Sequence, residues 1–385
     1  MELAGCAVLL SCPALTARLL SYFVPAAFIV LLSAPLCAEQ MVVQPPYPPG
    51  YVFRSLELGQ PYGGTMAQDS QAADRLYVAV GSFGNMSILA INKSTGTTVT
   101  VAGPFGNIGG LASLSNGDLA IAENFTSDTI LRARDFNSDG DFLDTGEISE
   151  LINPIMTDGD FTGAQMAVAP SSNASGIPGG ALMLQSADGN TSSELLVIVN
   201  PESSPSYRPP GGAYFAGFQY NGGFAFDNTG NVIIGESRFI WAPYSLSGRI
   251  MALVNKNHDD IIGTGEWHTL VDESRMPEGL ADLAVSRENV VFFGDSSGVV
   301  KTFTLPSDLL TETAVPVPFL HTNAVYVSTV RFDQPAQTFT AGPTGQVSRL
   351  YAGGLSPLYA GFTNLIIVEP ENTGMTSAQD WVSYE

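Results

Sequence analysis

A short β-rich module recurs along this chain, and it constrains the fold more than any other feature. Each copy has an apolar run that opens on glycine, a tight polar turn, a second apolar run that ends in glycine or an acid, a loop, and a third run. The plainest copy is Gly109–Leu114, the turn Ser115–Asp118, Leu119–Glu123 and then Thr129–Ala133. A second reads Gly222–Phe226, Asp227–Asn231, Val232–Glu236 and Gly248–Leu253. A third reads Glu278–Val285, Val290–Asp295 and Gly298–Phe303. Looser copies pair Arg75–Val80 with Ser87–Ile91, Gln165–Ala169 with Ala181–Gln185 and Leu195–Val199, and Val327–Phe332 with Thr338–Gly342 and Val347–Tyr351. No long stretch carries a 3.6-residue apolar period. Short runs alternating with Gly, Asn, Asp and Ser turns are the signature of strands.

One small antiparallel sheet cannot bury both its faces, and its open edges invite aggregation. Sheets stacked around an axis solve both problems. About six modules of roughly 40–60 residues have the spacing of propeller blades. The expected fold is therefore all-β, a β-propeller over 47–370, with six blades favoured and five or seven left open. A β-sandwich pair and a non-closing β-repeat are the alternatives. Val52–Leu56 precedes the first module and is expected to complete the last blade, beside a late strand at Phe362–Val368.

On this rhythm (a glycine-led strand, an Asn-Gly turn, a strand ending in an acid) the chain resembles six-bladed propellers of the NHL-repeat and SMP-30/gluconolactonase-like type. In the SMP-30 type, acids near such strand ends reach a central funnel and hold a divalent ion. The resemblance implies that role for Glu123, Glu236 and Asp295, with Gln185 at the like position of a fourth blade. Three carboxylates that converge raise one another's proton affinity, so a metal or a proton is expected among them. The alternative is that each caps its own turn. A quinone-dependent sugar dehydrogenase of related architecture would want a histidine base in the funnel. Of His258, His268 and His321, only His321 is a candidate.

The sharpest local motif runs Asp135-Phe136-Asn137-Ser138-Asp139-Gly140-Asp141-Phe142-Leu143-Asp144-Thr145-Gly146-Glu147. It matches the D-x-[DN]-x-[DN]-G opening of calcium loops. A hard cation that takes 6–8 oxygens needs such alternating oxygen side chains, and the glycine permits a sharp turn. Asp135, Asn137, Asp139 and Asp141 are the expected ligands of Ca2+, with Asp144 or Glu147 closing the set. The sequence departs from the EF-hand pattern because position 12 is Gly146 and the flanks read as strands. A second copy, Asn255 to Glu266, also ends in Gly-Glu and enters an apolar strand. It offers Asn255, Asn257, Asp259 and Glu266, and having fewer charges it should bind more weakly. A hairpin loop without metal is the equal alternative.

The chain's ends and charge bound the rest. Residues 1–38 carry Arg18, an apolar run Val24–Leu36, and Leu36-Cys37-Ala38 before Glu39, the pattern of a cleaved secretory signal. A retained anchor is the alternative. All three cysteines (Cys6, Cys12, Cys37) fall inside it, so the mature chain has no disulfide or thiolate chemistry. Export to the periplasm or medium of a bacterium is favoured. The net charge of −22 disfavours nucleic acid and anionic membrane as partners. A divalent cation is the expected partner, beside a small-molecule, glycan or protein ligand of unknown identity. A monomer is expected, and 371–385 reads as a polar tail. No G-x-S-x-G elbow, P-loop or Rossmann fingerprint occurs. Two functions follow: a secreted calcium-binding propeller acting as a binding or scaffold module, and alternatively a metal-dependent, lactonase- or esterase-like hydrolase. Phe239, Trp241 and Tyr244 are expected in a long loop.

Overall fold

The computed structural model describes residues 39–124, 129–153, 161–171, 173–188, 192–210, 212–219, 221–241, 244–332, 349–355, 361–370 and 382–383. Residues 1–38, expected to be a signal segment, and the three cysteines in them lie outside these residues. The described chain from Gln40 onward is all β, without a helix, and forms six small antiparallel sheets.

Each sheet is a blade, numbered here in chain order by its innermost strand. Those strands are Tyr62–Gln68, Ile108–Ser113, Phe161–Val168, Asn221–Phe226, Asp282–Val285 and Tyr326–Phe332. Each packs against the innermost strand of the next blade, and the sixth returns to the first. The ring is closed, and the protein is a six-bladed β-propeller.

Apolar alternation explains why these runs stack. A blade has neighbours on both faces, so its middle strands read as continuous apolar stretches whose alternate residues serve two different cores. In blade 2, Leu119 and Ile121 join the cluster shared with blade 1, around Tyr77, Ala79 and Ile88. Ala120 and Ala122 join the cluster shared with blade 3, around Leu182, Leu184 and Leu196. Six such clusters lie between successive blades, including the one between blade 6 and blade 1, where Tyr351 and Ile367 meet Val78 and Leu89.

Two segments distant in sequence make the closure. Tyr51–Glu57 pairs along its whole length with Asn364–Pro370, so blade 6 takes its fourth strand from the start of the folded chain. Val43–Gln44 adds a fifth strand to blade 5 beside His321 and Thr322. Asn364, fully buried, ties these pieces together. Its Oδ1 accepts the Met41 N–H at 2.7 Å, and its Nδ2 donates to the Met41 carbonyl at 2.9 Å and the Ser55 hydroxyl at 2.8 Å.

Several strands differ from the sequence expectation. Blade 1 gains an inner strand, Tyr62–Gln68, and an outer one, Thr98–Phe105, whose glycines and threonines lack an apolar signature. Blade 6 uses Leu350–Leu355 and Asn364–Pro370 as its second and third strands, while 338–342 falls outside the described residues. Phe239, Trp241 and Tyr244 belong to strands rather than a loop: Val232–Trp241 and Tyr244–Leu253 pair as one long hairpin. Of the expected tail, Val382–Ser383 is described, and it pairs with Ser55 and Arg54 on the outside of blade 6.

Replacing Asn364 by Ala leaves the buried Met41 N–H and carbonyl without partners. Urea unfolding should show a loss of about 2–4 kcal/mol, since each unmet buried group costs roughly 1–3 kcal/mol. Limited proteolysis should then cut first between residues 40 and 57.

Candidate functional site

Five of the six inner strands shift register against the second strand near their start, at Tyr62/Met66, Ile108/Gly110, Gly163/Met166, Asn221/Phe224 and Val327/Thr329. The glycine pairs of the repeat, such as Gly63-Gly64 and Gly222-Gly223, lie in these bulges. Bulges bend a strand and re-aim its side chains. Blade 5 pairs without a shift, and its inner strand begins with Asp282 opposite Gly294.

The acids expected at the ends of the second strands are all deeply buried, and Glu236 lies in the middle of its strand, Val232–Trp241, rather than at its end. Glu123 accepts the N–H groups of Gly106 and Asn107, both at 3.1 Å, and so joins blade 2 to blade 1. Glu236 is held by its cross-strand neighbour Arg249, whose Nε and Nη2 both lie 2.6 Å from Oε2. Asp295 caps its own turn through the N–H groups of Ser297 and Val299, at 2.9 and 3.0 Å, and lies 2.9 Å from the Lys301 ammonium. Gln185 spans blades 3 and 4, accepting from Gly223 N–H and donating to the Gly235 carbonyl. Each group is engaged by its own blade or the adjoining one. Among the described residues no three His, Cys, Asp or Glu side chains are grouped to hold a metal ion. His321 lies on the outer strand of blade 5, between Val299 and Gln44, which takes it away from the axis.

A different acid stands where the inner strands meet. Asp282 is 1% exposed. Its Oδ1 accepts its neighbour Leu283's N–H at 2.6 Å, and its Oδ2 accepts the Val330 N–H of blade 6 at 3.1 Å, with Arg331 Nε at 3.3 Å. Arg331 Nη1 also donates to the Phe224 carbonyl of blade 4 at 3.5 Å. Burial pushes the Asp282 carboxyl up to about 7, against the opposing pull of Arg331 and the two N–H groups. Burial and the adjacent Asp282 push the Tyr326 phenol up to about 12. Tyr62 of blade 1 donates to the Thr329 hydroxyl at 2.7 Å, and Thr329 donates to the Gly64 carbonyl at 2.7 Å. Sequence reasoning passed over Asp282 because it falls within the apolar run Leu280–Val285, the strand itself beginning at Asp282. Its partner Arg331 sits in another module, and no local spacing announces the pair.

The two acidic loops connect the third and fourth strands of blades 2 and 4. They lie at the opposite end of the blades from Glu123 and from the Trp241 end of the long hairpin, because the third strand runs back from the second. They share one hydrogen-bond frame. Glu147 Oε1 accepts the Phe136 N–H and Oε2 the Asp144 N–H. Glu266 does the same with Lys256 and Asn257 through Oε1 and Gly263 through Oε2. Ser138 and His258 occupy the same left-handed position, with φ of 61° and 56°. Each loop also plugs an inter-blade core: Phe142 sits between blades 1 and 2 and Ile262 between blades 3 and 4.

The loops differ in their side-chain centres. In the first, Asn137 Nδ2 lies 2.9 Å from Asp139 Oδ2 and 2.6 Å from Asp144 Oδ2. Asp135 accepts the Ser138 and Gly140 N–H groups, and Asp141 that of Leu143. Two carboxylates thus close on one point, where a neutral amide donor stands in the position that suits a cation. In the second loop, Asn257 contacts only Asp259 in this way, at 2.7 Å. The frame aligns Gly263 with Asp144, so that carboxylate is missing. Asn255 turns its amide to the Ser175 and Asp259 carbonyls, and Asp260 pairs with Arg208 at 2.5 Å.

No protein-family model matches the chain, and no curated protein matches it in sequence. Solved structures do match in fold. One is a gluconolactonase from Xanthomonas campestris, with a TM-score of 0.54 and 13% identity, over 86% of this chain and 98% of that one. Another is the quinone-bound aldose sugar dehydrogenase of Streptomyces coelicolor, with a TM-score of 0.53 and 15% identity, over 84% and 99%. The chain has the SMP-30/gluconolactonase-like propeller fold. At these identities the likeness is one of architecture.

Glu236 and Arg249 make the most demanding of these ion pairs. Removing Arg249 withdraws both contacts to Oε2 of a fully buried carboxylate, a loss of up to about 3–5 kcal/mol. Arg249→Met should lower the urea midpoint accordingly, and Glu236→Gln in the same chain should recover part of the loss.

Proposed function

We propose that this chain is an exported propeller that works as a binding or scaffold module and takes one calcium ion in the Asp135–Glu147 loop. The observation that carries the reading is the convergence of Asp139 and Asp144 on a single point beside Asn137. Hard oxygen donors at that spacing suit Ca2+, and the exposure of the loop leaves room for the waters that complete 6–8 ligands. Asp135, Asn137, Asp139 and Asp144 are the proposed ligands. Glu147, buried at 2% exposure, is the frame of the loop, tying the Phe136 and Asp144 N–H groups together. The second loop keeps the frame with fewer acids, and its proposed role is that of a hairpin staple. Bound ion would lock Phe142 into the core between blades 1 and 2, so occupancy and blade packing are linked.

Support for the alternative, a metal-dependent hydrolase, comes from the fold likeness to a gluconolactonase. It would require Glu236 and Asp295 to leave Arg249 and Lys301, and for that reason the binding reading is preferred. The N-terminal signal pattern supports export.

Titration calorimetry of the full chain with calcium should give one site per chain. Calcium at a hundredfold excess over Kd should add about 2.7 kcal/mol of stability, read as a higher Tm that chelator reverses. Asp139→Asn combined with Asp144→Asn should abolish both effects, while Asp259→Asn should leave them unchanged. A Tm indifferent to calcium and chelator would remove the ion from this reading.

A further inference from the structure

We propose that Asp282 is a proton-operated latch at the axis of the ring: while its carboxyl carries a proton the inner strands of blades 4, 5 and 6 stay joined, and its ionisation favours an opened state in which water reaches the axis.

The placement supplies the first argument. Asp282 is the common contact of three blades. It belongs to blade 5, accepts the Val330 N–H of blade 6, and meets Arg331, which reaches on to the Phe224 carbonyl of blade 4. Blade 4 presses on it directly. A Cβ at Gly223 would stand 2.6 Å from Asp282 Oδ1, so that face of the carboxyl is covered by backbone. Gly223 itself has φ of +83°, which favours glycine there. Water cannot solvate the group without parting these strands.

The second argument is how weakly a negative charge would be compensated there. Charge-assisted N–H to carboxylate bonds run to about 2.7–2.9 Å. Glu236 has two such contacts at 2.6 Å from one arginine, and Glu369 has Arg349 at 2.5 Å and Arg54 at 3.1 Å. Asp282 holds the Leu283 and Val330 N–H groups at 2.6 and 3.1 Å, but its guanidinium partner, Arg331, stands farther off at 3.3 Å and is shared with a carbonyl. Among the described residues, the ionisable groups that face it are Arg331 and Tyr326 of blade 6 and Tyr62 of blade 1; burial pushes both phenols up, so they stay neutral through the range in question, and blade 4 presents Gly223 and backbone. Burial outweighs these partners and pushes the carboxyl up.

The sign follows from linkage. In the closed ring the carboxyl titrates at about 7, and in an opened or unfolded chain near its ordinary 3.8. Between those values the closed state holds a proton that the open state does not. The stabilisation is complete below the lower value and is lost as pH rises through the upper one, the closed-to-open ratio falling by up to about tenfold per pH unit.

The test uses the full chain at fixed free calcium, so that the acidic loops do not vary. Urea midpoints are measured from pH 5 to 8.5 for the wild type and for Asp282→Asn, which keeps the shape and cannot ionise. The wild type should lose stability toward pH 8, while D282N should give a flatter profile and match or exceed it there. Protection of the Val330 and Leu283 amides, corrected for intrinsic exchange, should fall at least tenfold from pH 5.5 to 8 in the wild type alone. Parallel profiles for the two proteins would overturn the latch. Should D282N fail to fold, infrared spectra of the wild type decide the matter: a buried protonated-carboxyl band present at pH 5.5 and lost with a midpoint near 7 supports the proposal, and its absence at pH 5.5 overturns it.

Discussion

The ring depends on one antiparallel pairing, that of Tyr51–Glu57 with Asn364–Pro370. Every blade is a small sheet that is stable only when both faces are covered, so each relies on two neighbours. A break at any seam would expose two apolar faces at once. The seam between blades 6 and 1 is the one place where chain continuity does not help. There Tyr51–Glu57 is built into the last blade, and Asn364 joins it to Met41 with three buried hydrogen bonds. Closure of this kind converts six marginal sheets into one cooperative body.

Within that body, charge is handled in two ways. Each acid expected at a second-strand end is matched at short range: Glu236 by Arg249, Asp295 by Lys301 and its own turn, Glu123 by two backbone N–H groups. At the axis Asp282 also holds two backbone N–H groups, but its cationic partner, Arg331, stands at 3.3 Å. The difference traces to the backbone. Glu236 and Arg249 face each other across one hairpin, so their distance is fixed locally. Asp282 and Arg331 belong to different blades, and their distance is set by how the ring curves.

The acidic loops show how one frame can outlive its side chains. A terminal glutamate that gathers backbone N–H groups, a left-handed residue at the fourth position and an apolar plug into the inter-blade core are common to both. The frame needs only Glu147 or Glu266 and a permissive turn, and so it survives where Asp144 has given way to Gly263. The oxygen cluster sits on top of the frame and can vary without unfolding the hairpin.

Much of the architecture was written locally. Apolar alternation and Asn-Gly turns determine strands and their spacing. A sheet with two buried faces has to stack, so the six-bladed ring and its closure by Val52–Leu56 were legible, as was the kinship of the two loops. The weakly apolar strands Tyr62–Gln68 and Thr98–Phe105 were not, because they are held by ladders to neighbours rather than by their own pattern. Which acids meet was decided by the tertiary structure alone. Glu123, Gln185, Glu236 and Asp295 find partners within their own sheets or the adjoining one, whereas Asp282 and Arg331, with no relation in sequence, are brought together because inner strands crowd at the axis.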